Sequence, residues 1–176
     1  MRSNYTHFPY RDERDRGGMR ITRFIGVDPG MSGAIVVIDA LGELLDYCLC
    51  PKTVVGKSKR VDTPTLAAFL RSQPNIEGAY VEKVGAMPGQ GVSSTFSFGH
   101  AAGVAEGCVA TMGIPITHLT PQAWKKPYGF LGGDKDAPRS KAALRYPHAD
   151  VLQLKGKGQA VADAVFIALA GRGLAA

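Results

Sequence analysis

The sequence lacks the features that mark disulfide-stabilised, membrane-spanning or zinc-binding proteins. Its 176 residues include three cysteines, Cys48, Cys50 and Cys108, which lie in apolar runs without a CxxC or Cys/His ligand spacing. We expect them to be buried free thiols of a protein in a reducing cytoplasm. No apolar run reaches the roughly 18 to 20 residues of a membrane-spanning helix, and the N-terminus has no signal-peptide core. The expectation is a soluble intracellular protein without a membrane partner.

Acidic residues are outnumbered as well. The chain has 21 Lys and Arg against 15 Asp and Glu, a formal net charge of +6 and a pI near 9.3. This balance favours a polyanionic partner without requiring one. The length suits one domain with its own core. We predict a polar, flexible arm over residues 1–18 and a single domain over residues 19–176.

Hydrophobic periodicity predicts an α/β protein. Strands linked by hairpin-like turns are expected first, followed by strands that alternate with helices, which implies crossover connections and a layered sheet. The strands are predicted at residues 21–27, 34–38, 43–50, 79–84 and 114–119, with a polar, basic connection at 52–61. The helices are predicted at residues 63–72, 98–112, 120–124, 135–146 and 160–170.

Three carboxylates interrupt these apolar elements: Asp28 in IGVDPG, Glu82 in YVEKV and Asp163 in AVADAVFIALA. Burying an ionised carboxylate is costly unless it is paired or bound to a cation. Each acid also has a structural explanation. Asp28 can cap the turn, Glu82 can pair with a lysine, and Asp163 can lie in the first turn of a helix. Together they suit a shared Mg²⁺ site, because acids on two strands and a terminal helix can converge at one side of a sheet.

The ordered motifs carry a resemblance to a known family. A strand followed by DPGMSGA, then YVEKVGAMPGQGVSSTFSFG, TPQAWKK, DK before a helix ending in YP, and ADAVFIALAG together resemble the RuvC-like Holliday junction resolvases of bacteriophages and bacteria. The resemblance covers residues 21–171. It implies a ribonuclease H-like three-layer α/β fold, in which a mixed five-stranded sheet with an antiparallel three-stranded start and then parallel strands has helices on both faces.

The resemblance also implies an activity. It predicts a homodimer that makes paired, Mg²⁺-dependent nicks in four-way or branched DNA, with Mn²⁺ as a substitute, in a bacterial cell or a phage-infected bacterium. Carried over position by position, Asp28, Glu82 and Asp163 are the catalytic metal ligands. Lys125 and Lys135 match lysines near the scissile phosphate, where they would hold phosphate and offset charge.

Further residues are candidates for DNA contact. The glycine-rich loop after Glu82 lies beside the junction in the family, so its apolar and hydroxyl side chains are expected to reach bases and phosphates. Lysines and arginines in PKTVVGKSKR, after the TPQAW turn and before the last helix are either phosphate contacts or ordinary solvated charges. The candidates are Met87, Ser93, Ser94, Lys57, Lys59, Arg60, Lys126, Lys155 and Lys157.

The aromatic residues and histidines near these motifs are expected to be structural. Phe96 and Phe98 are predicted to pack in the core or at the dimer interface, and Trp124 to anchor packing. His100 is expected to be a hydrogen-bonded structural residue, and His118 is the better candidate for the rim of the site.

The chain departs from the family at one position. A fourth acid usually precedes the one matched by Asp163, where this sequence reads KGKGQAVAD. Gln159 can offer an amide oxygen to a metal, directly or through water, although a neutral ligand should weaken Mg²⁺ binding. Three functions stay open: a junction resolvase, a weak or inactive junction-binding protein, and a flap or fork nuclease. An actin-like ATPase, suggested by IGVDPGMSGA alone, is disfavoured because it needs two related domains.

Overall fold

The computed structural model describes residues 20–86 and 89–175, in which a mixed sheet lies between two layers of helices. The sheet strands are β1 (Arg23–Asp28), β2 (Ala34–Asp39), β3 (Leu44–Leu49), β6 (Ile76–Glu82) and β7 (Ile116–Leu119). A separate hairpin consists of β4 (Lys52–Val55) and β5 (Ser58–Val61). The helices are α1 (Thr63–Arg71), α2 (Val92–Ala110), α3 (Pro121–Lys125), α4 (Ala137–Arg145) and α5 (Lys155–Gly171).

The sheet has the predicted mixed topology. Its five strands follow the order β3-β2-β1-β6-β7. The first three in sequence are antiparallel neighbours, whereas β6 and β7 run parallel to β1. In this register Asp28 pairs with Ala34 at one end of β1, and Arg23 pairs with Asp39 at the other. The carboxyl ends of β1, β6 and β7 therefore share one edge of the sheet.

Helices cover both faces, which confirms the three-layer prediction. Helices α1 and α2 pack on a core that includes Ile25, Val27 and Val81. On the opposite face, α5 packs with α3 and α4 over Phe24 and Val36. Neighbouring residues of β1 thus point into different cores, as strand geometry requires. Because the middle of α5 is surrounded on all sides, its sequence is almost wholly apolar and any polar residue within it is conspicuous.

The largest corrections to the sequence prediction concern one missed hairpin and the starts of two helices. Residues 52–61 form the β4–β5 hairpin instead of a connection, because the β-branched run from Thr53 to Val55 precedes Gly56, whose φ of 62° suits a tight turn. Helix α2 begins at Val92 and α5 at Lys155, several residues before the predicted starts. The start of α5 was missed because it contains glycines, which have a low helix propensity. One of them, Gly158, is required because a Cβ there would lie 2.6 Å from the Val151 carbonyl oxygen.

Two predictions fall outside the described residues, namely the N-terminal arm and the DNA contact by Met87. The domain boundaries likewise stay a prediction. Within residues 20–86 and 89–175, no helix combines the length and hydrophobicity that crossing a bilayer requires.

Candidate active site

The candidate site lies where two parallel strands end. Asp28 is the last residue of β1, and Glu82 is the last residue of β6. The strands are paired in parallel with Val27 opposite Val81, so the two acids follow at equivalent positions on neighbouring strands. The same edge receives the tight turn that reverses the chain into β2, in which the Gly33 amide donates to the Gly30 carbonyl. This is the arrangement that the motif IGVDPG predicted.

Helix α5 supplies the third acid. It crosses β1 so closely that a Cβ built at Gly26 would lie 2.1 Å from the carbonyl oxygen of Ala164. Asp163 precedes Ala164, is partly buried, and lies within electrostatic reach of Asp28 and Glu82 at the strand ends. The absence of a side chain at Gly26 is therefore what lets α5 bring its acid to the end of β1.

The carboxylates repel one another in a poorly solvated setting. Burial is the main reason why the pKa of Asp28 lies well above its usual range, and the charges of Asp163 and then Glu82 raise it further. Burial also raises the pKa of Asp163 to about 6, against a smaller lowering by the Gln159 hydrogen bond and Lys125. Clustered acids with raised pKa values are typical of functional sites, because a fold gains no stability from them.

Three neighbouring side chains orient or offset these acids. The indole Nε1 of Trp124 donates a hydrogen bond of 2.8 Å to Oε1 of Glu82. The amide Nε2 of Gln159, one turn before Asp163 on α5, donates to Oδ1 of Asp163 at 2.8 Å. The ammonium of Lys125 lies 4.9 Å from the centroid of the Trp124 ring. Its charge lowers the pKa of both Asp28 and Asp163.

The donor set suits a hard divalent cation. Asp28, Glu82 and Asp163 offer only oxygen ligands, which Mg²⁺ and Mn²⁺ prefer, and a bound cation would relieve their mutual repulsion. In the described part of the chain, however, no three His, Cys, Asp or Glu side chains are close enough together to hold one metal ion as they stand. Closing the set around an ion would require the carboxylates to move toward one another.

Comparison with known proteins identifies the fold. No protein-family model and no curated protein matches the chain. Among solved structures, T. thermophilus RuvC in complex with a Holliday junction substrate matches with a TM-score of 0.53 and 16% identity, over 85% of this chain and 91% of that chain. The chain has a RuvC-like fold. A second Thermus thermophilus RuvC structure matches at 17% identity and a TM-score of 0.46, over 88% and 98% of the two chains.

The predicted basic residues lie on several separate elements of the fold. Lys125 is the one of the two predicted catalytic lysines whose charge acts on Asp28 and Asp163, whereas Lys135 is exposed in the turn before α4. The candidate DNA contacts lie on the hairpin, at the start of α2, after α3 and at the start of α5. All are exposed except half-buried Arg60: Lys57, Lys59, Ser93, Ser94, Lys126, Lys155 and Lys157.

Two clefts flank the site on either side of α2. The first is lined by Pro29, Glu82, Glu106 and His118, with the His118 Nε2 3.2 Å from a carboxylate oxygen of Glu106. His118 thus lies at the rim of the site, as expected. The second cleft lies between α2 and the β4–β5 hairpin and includes Lys59 and Arg60.

Sequence reasoning missed two residues of the site region. Trp124 is buried, as expected of a packing anchor, but it also holds Glu82, and its position directly before Lys125 was the available signal. Phe96 is 66% exposed, so packing in the core is wrong for it, whereas the alternative of packing at a dimer interface stays a prediction. Phe98, by contrast, packs against the turn at Gly30, where a Cβ would meet its ring at 3.0 Å.

Proposed function

We propose that the protein is a structure-selective DNA endonuclease that resolves four-way junctions by paired, metal-dependent phosphodiester hydrolysis. The observation that carries this proposal is the set of mutually repelling acids Asp28, Glu82 and Asp163 beside Lys125, at the strand ends of a RuvC-like fold. The solved structure of T. thermophilus RuvC with a Holliday junction substrate supports the choice of DNA.

The chemistry follows from the residues at the site. A bound pair of Mg²⁺ or Mn²⁺ ions would supply an activated water and stabilise the leaving oxygen. Asp28, Glu82 and Asp163 would hold the ions, with Glu82 oriented by the Trp124 indole. Gln159 would orient Asp163 and is the further candidate ligand. Lys125, joined by Lys135, would hold the scissile phosphate, and the products would carry 5′-phosphate and 3′-hydroxyl ends.

The active form is proposed to be a homodimer. A C₂ dimer presents two equivalent sites, which suit a junction with approximate two-fold symmetry and would produce paired nicks. Cationic and hydroxyl side chains around the site would contact the phosphates of the junction arms and set its orientation. The proposed contacts are Lys57, Lys59, Arg60, Ser93, Ser94, Lys126, Lys155 and Lys157, with Met87 beside the unstacked bases.

A second candidate function is junction binding with little or no cleavage. It is favoured by Gln159, a neutral residue near the position where the resembled family has a fourth acid, and by the separation of the three acids in the described structure. A neutral ligand weakens Mg²⁺ binding, whereas the basic surface that would hold DNA is unaffected.

An end-labelled cleavage assay decides between these functions. The chain is incubated with an immobile four-way junction, a flap, a fork or a linear duplex, in Mg²⁺, Mn²⁺ or EDTA. Paired, metal-dependent nicks confined to the junction are expected. Junction binding without nicks in either metal would favour the second candidate, and preferential cutting of the flap or fork would contradict junction resolution.

A further inference from the structure

The cleft between the β4–β5 hairpin and α2, here called the hairpin groove, has the chemistry of a nucleic-acid subsite. Its volume is about 410 Å³. Lys59 and Arg60 of β5 line one side, and Ser93, Phe96 and His100 of α2 line the other. The groove therefore combines cations and a hydroxyl group with aromatic rings.

The groove adjoins the turn that follows Asp28. Met31, which also lines it, belongs to the turn that begins directly after Asp28. Cys50 lies two residues before β4. Burial is the main reason why the pKa of its thiol is raised, and the charge of Asp28 raises it further, so Cys50 lies within electrostatic reach of the acid. A DNA strand that is cut beside Asp28 would therefore pass close to the groove.

Phe96 provides an aromatic surface at this groove. Its side chain is 66% exposed, and its ring centroid lies 6.4 Å from that of His100, with the planes tilted by 37°. Val92, one helical turn earlier, is 87% exposed. Exposed aromatic rings next to cations are the feature on which proteins stack bases of single-stranded nucleic acid, because every base has a π-face.

Charge identifies the ligand further. Lys59 and Arg60 line the hairpin groove, and no carboxylate is among the described residues that form it. The cleft on the other side of α2 instead contains Glu82 and Glu106 beside Lys83, so its carboxylates offset its one lysine unless a metal is bound. A polyanion with exposed aromatic bases complements the hairpin groove and not its neighbour.

We propose that the hairpin groove binds a single-stranded DNA segment adjacent to the scissile phosphate, with phosphates on Lys59 and Arg60 and one unstacked base on Phe96. The inference rests on the proposed function, since it places this segment next to the cleaved bond. To the proposed function the inference adds Phe96 as a base-stacking residue and single-stranded DNA as the form that the groove binds.

The test separates base stacking from phosphate binding. The full chain is titrated in EDTA with a fluorescent oligothymidylate of about twelve nucleotides, and with an abasic oligonucleotide that has the same number of phosphates. We expect tighter binding of the thymidylate. Phe96→Leu should lower thymidylate affinity by about 5-fold to 100-fold, the range for losing one base stack, and should leave abasic affinity unchanged.

Two control variants make the result specific. Phe96→Trp should keep the preference for bases, because it retains an aromatic face. Leu41→Ala removes an apolar side chain that is 70% exposed in the β2–β3 turn, at the end of the sheet opposite Asp28, and should change neither affinity. Equal binding of both oligonucleotides by the wild type, or an undiminished preference in Phe96→Leu, would overturn the inference.

Junction cleavage, measured separately, keeps the two proposals distinguishable. A chain that nicks junctions but has no preference for bases would retain the proposed function and lose the groove inference. A chain that prefers bases through Phe96 but never nicks junctions would retain the groove and lose the proposed cleavage.

Discussion

At the residue scale, hydrogen-bond partners separate structural acids from functional ones. Asp39 is buried but accepts hydrogen bonds of 2.9 Å from the backbone amides of Leu41 and Glu43, which fix the β2–β3 turn. Asp46 is buried and accepts a hydrogen bond of 2.8 Å from the Gln73 side chain. Asp28 instead has a raised pKa, mainly because it is buried and further because it faces Asp163 and Glu82. Because Asp28 lowers the stability of the fold, we infer that its role is functional.

Replacing Asp28 tests this contrast. Asp28→Asn should reduce junction cleavage at least about 100-fold, because it removes charge that holds the metal, and should leave junction binding in place. In EDTA at pH 8 the variant should also be more stable than the wild type, by about 1 kcal/mol or about 2–4 °C in Tm, because a carboxyl whose pKa is raised by folding destabilises the folded state above its unfolded pKa. Cleavage gels, binding titrations and thermal melts measure the three effects.

Asp150→Asn is the matched control, since Asp150 is exposed on a 3₁₀ turn. It should alter neither cleavage nor Tm. Retained cleavage in Asp28→Asn would remove the central assignment, and a lower Tm would contradict the electrostatic argument.

Trp124 should act as a positioning residue for Glu82. Trp124→Phe keeps an aromatic ring but loses the 2.8 Å hydrogen bond to the carboxylate. A hydrogen bond to a charged group contributes about 1.5–3 kcal/mol, so cleavage should fall about 10-fold to 100-fold. The Mg²⁺ concentration for half-maximal rate should rise, whereas a purely structural role would lower only Tm.

Tyr128→Phe is the corresponding control for Trp124→Phe. It removes the 2.9 Å hydrogen bond from the Tyr128 hydroxyl to the Leu174 carbonyl, on the same side of the sheet as Trp124. Tyr128→Phe should lower Tm without changing the Mg²⁺ dependence. An unchanged Mg²⁺ dependence in Trp124→Phe would refute the positioning role.

At the element scale, the close crossing of β1 and α5 determines the site. Gly26→Ala should prevent that crossing, because the added Cβ would lie 2.1 Å from the Ala164 carbonyl oxygen and 2.8 Å from the Ala168 Cβ. We expect a loss of about 3 kcal/mol or more in the free energy of unfolding, measured by urea denaturation. Gly78→Ala in β6 is the control, since its Cβ would meet nothing closer than 3.7 Å. Equal effects of the two variants would contradict the role assigned to Gly26.

The fold should protect Cys48 of β3 and the neighbouring Cys50 from alkylation. Burial raises the pKa of Cys48 to about 12 and that of Cys50 to about 11. The folded protein therefore retains these protons where the unfolded chain, with thiol pKa values near about 8.5, loses them. Iodoacetamide labelling at pH 8 should be slow in buffer and fast in guanidinium. Stability should also fall as pH rises from about 9 toward 11, because only the unfolded state ionises there. Fast labelling of the folded protein would contradict the prediction.

At the scale of the whole molecule, charge is distributed by function. The acids Asp28, Glu82 and Asp163 occupy one edge of the sheet, whereas exposed cations lie on the separate elements around it, from the hairpin to the start of α5. The described structure thus combines a negative site, which a bound metal would neutralise, with exposed cations on other elements of a chain whose formal net charge is +6. In the proposed function, the exposed cations would attract the DNA phosphates, and the phosphodiester would be hydrolysed at the acids.

The proposed homodimer predicts coupled nicking. A supercoiled plasmid with an extruded cruciform should yield linear product, because two sites on one dimer cut opposite strands of the junction before it is reabsorbed. With independent monomers, the first nick would relax the plasmid, the cruciform would be reabsorbed before a second cut, and the product would be a nicked circle. Agarose gels give this ratio, and sedimentation gives the mass of the unbound protein. A monomer that produces nicked circles would contradict the paired mechanism.

Much of the fold and part of the site could be predicted from local patterns. The three antiparallel strands, the order of strands and helices, and Asp28, Glu82 and Asp163 all follow from apolar periodicity and from isolated charges within it. The β4–β5 hairpin did not, because exposed polar strands have no hydrophobic alternation to reveal them. The exposed position of Phe96 was also missed, since an aromatic residue is buried more often than not.

What the sequence determined by itself is therefore local: which segments alternate, which acids interrupt them, and where glycine permits a turn. Only the tertiary structure decided which of these residues meet. The Trp124 indole reaches Glu82 across 42 residues, and α5 reaches β1 because Gly26 has no side chain. Such contacts depend on how helices and strands pack in three dimensions. Packing involves two segments that are distant in sequence, so the pattern within either segment alone does not predict it.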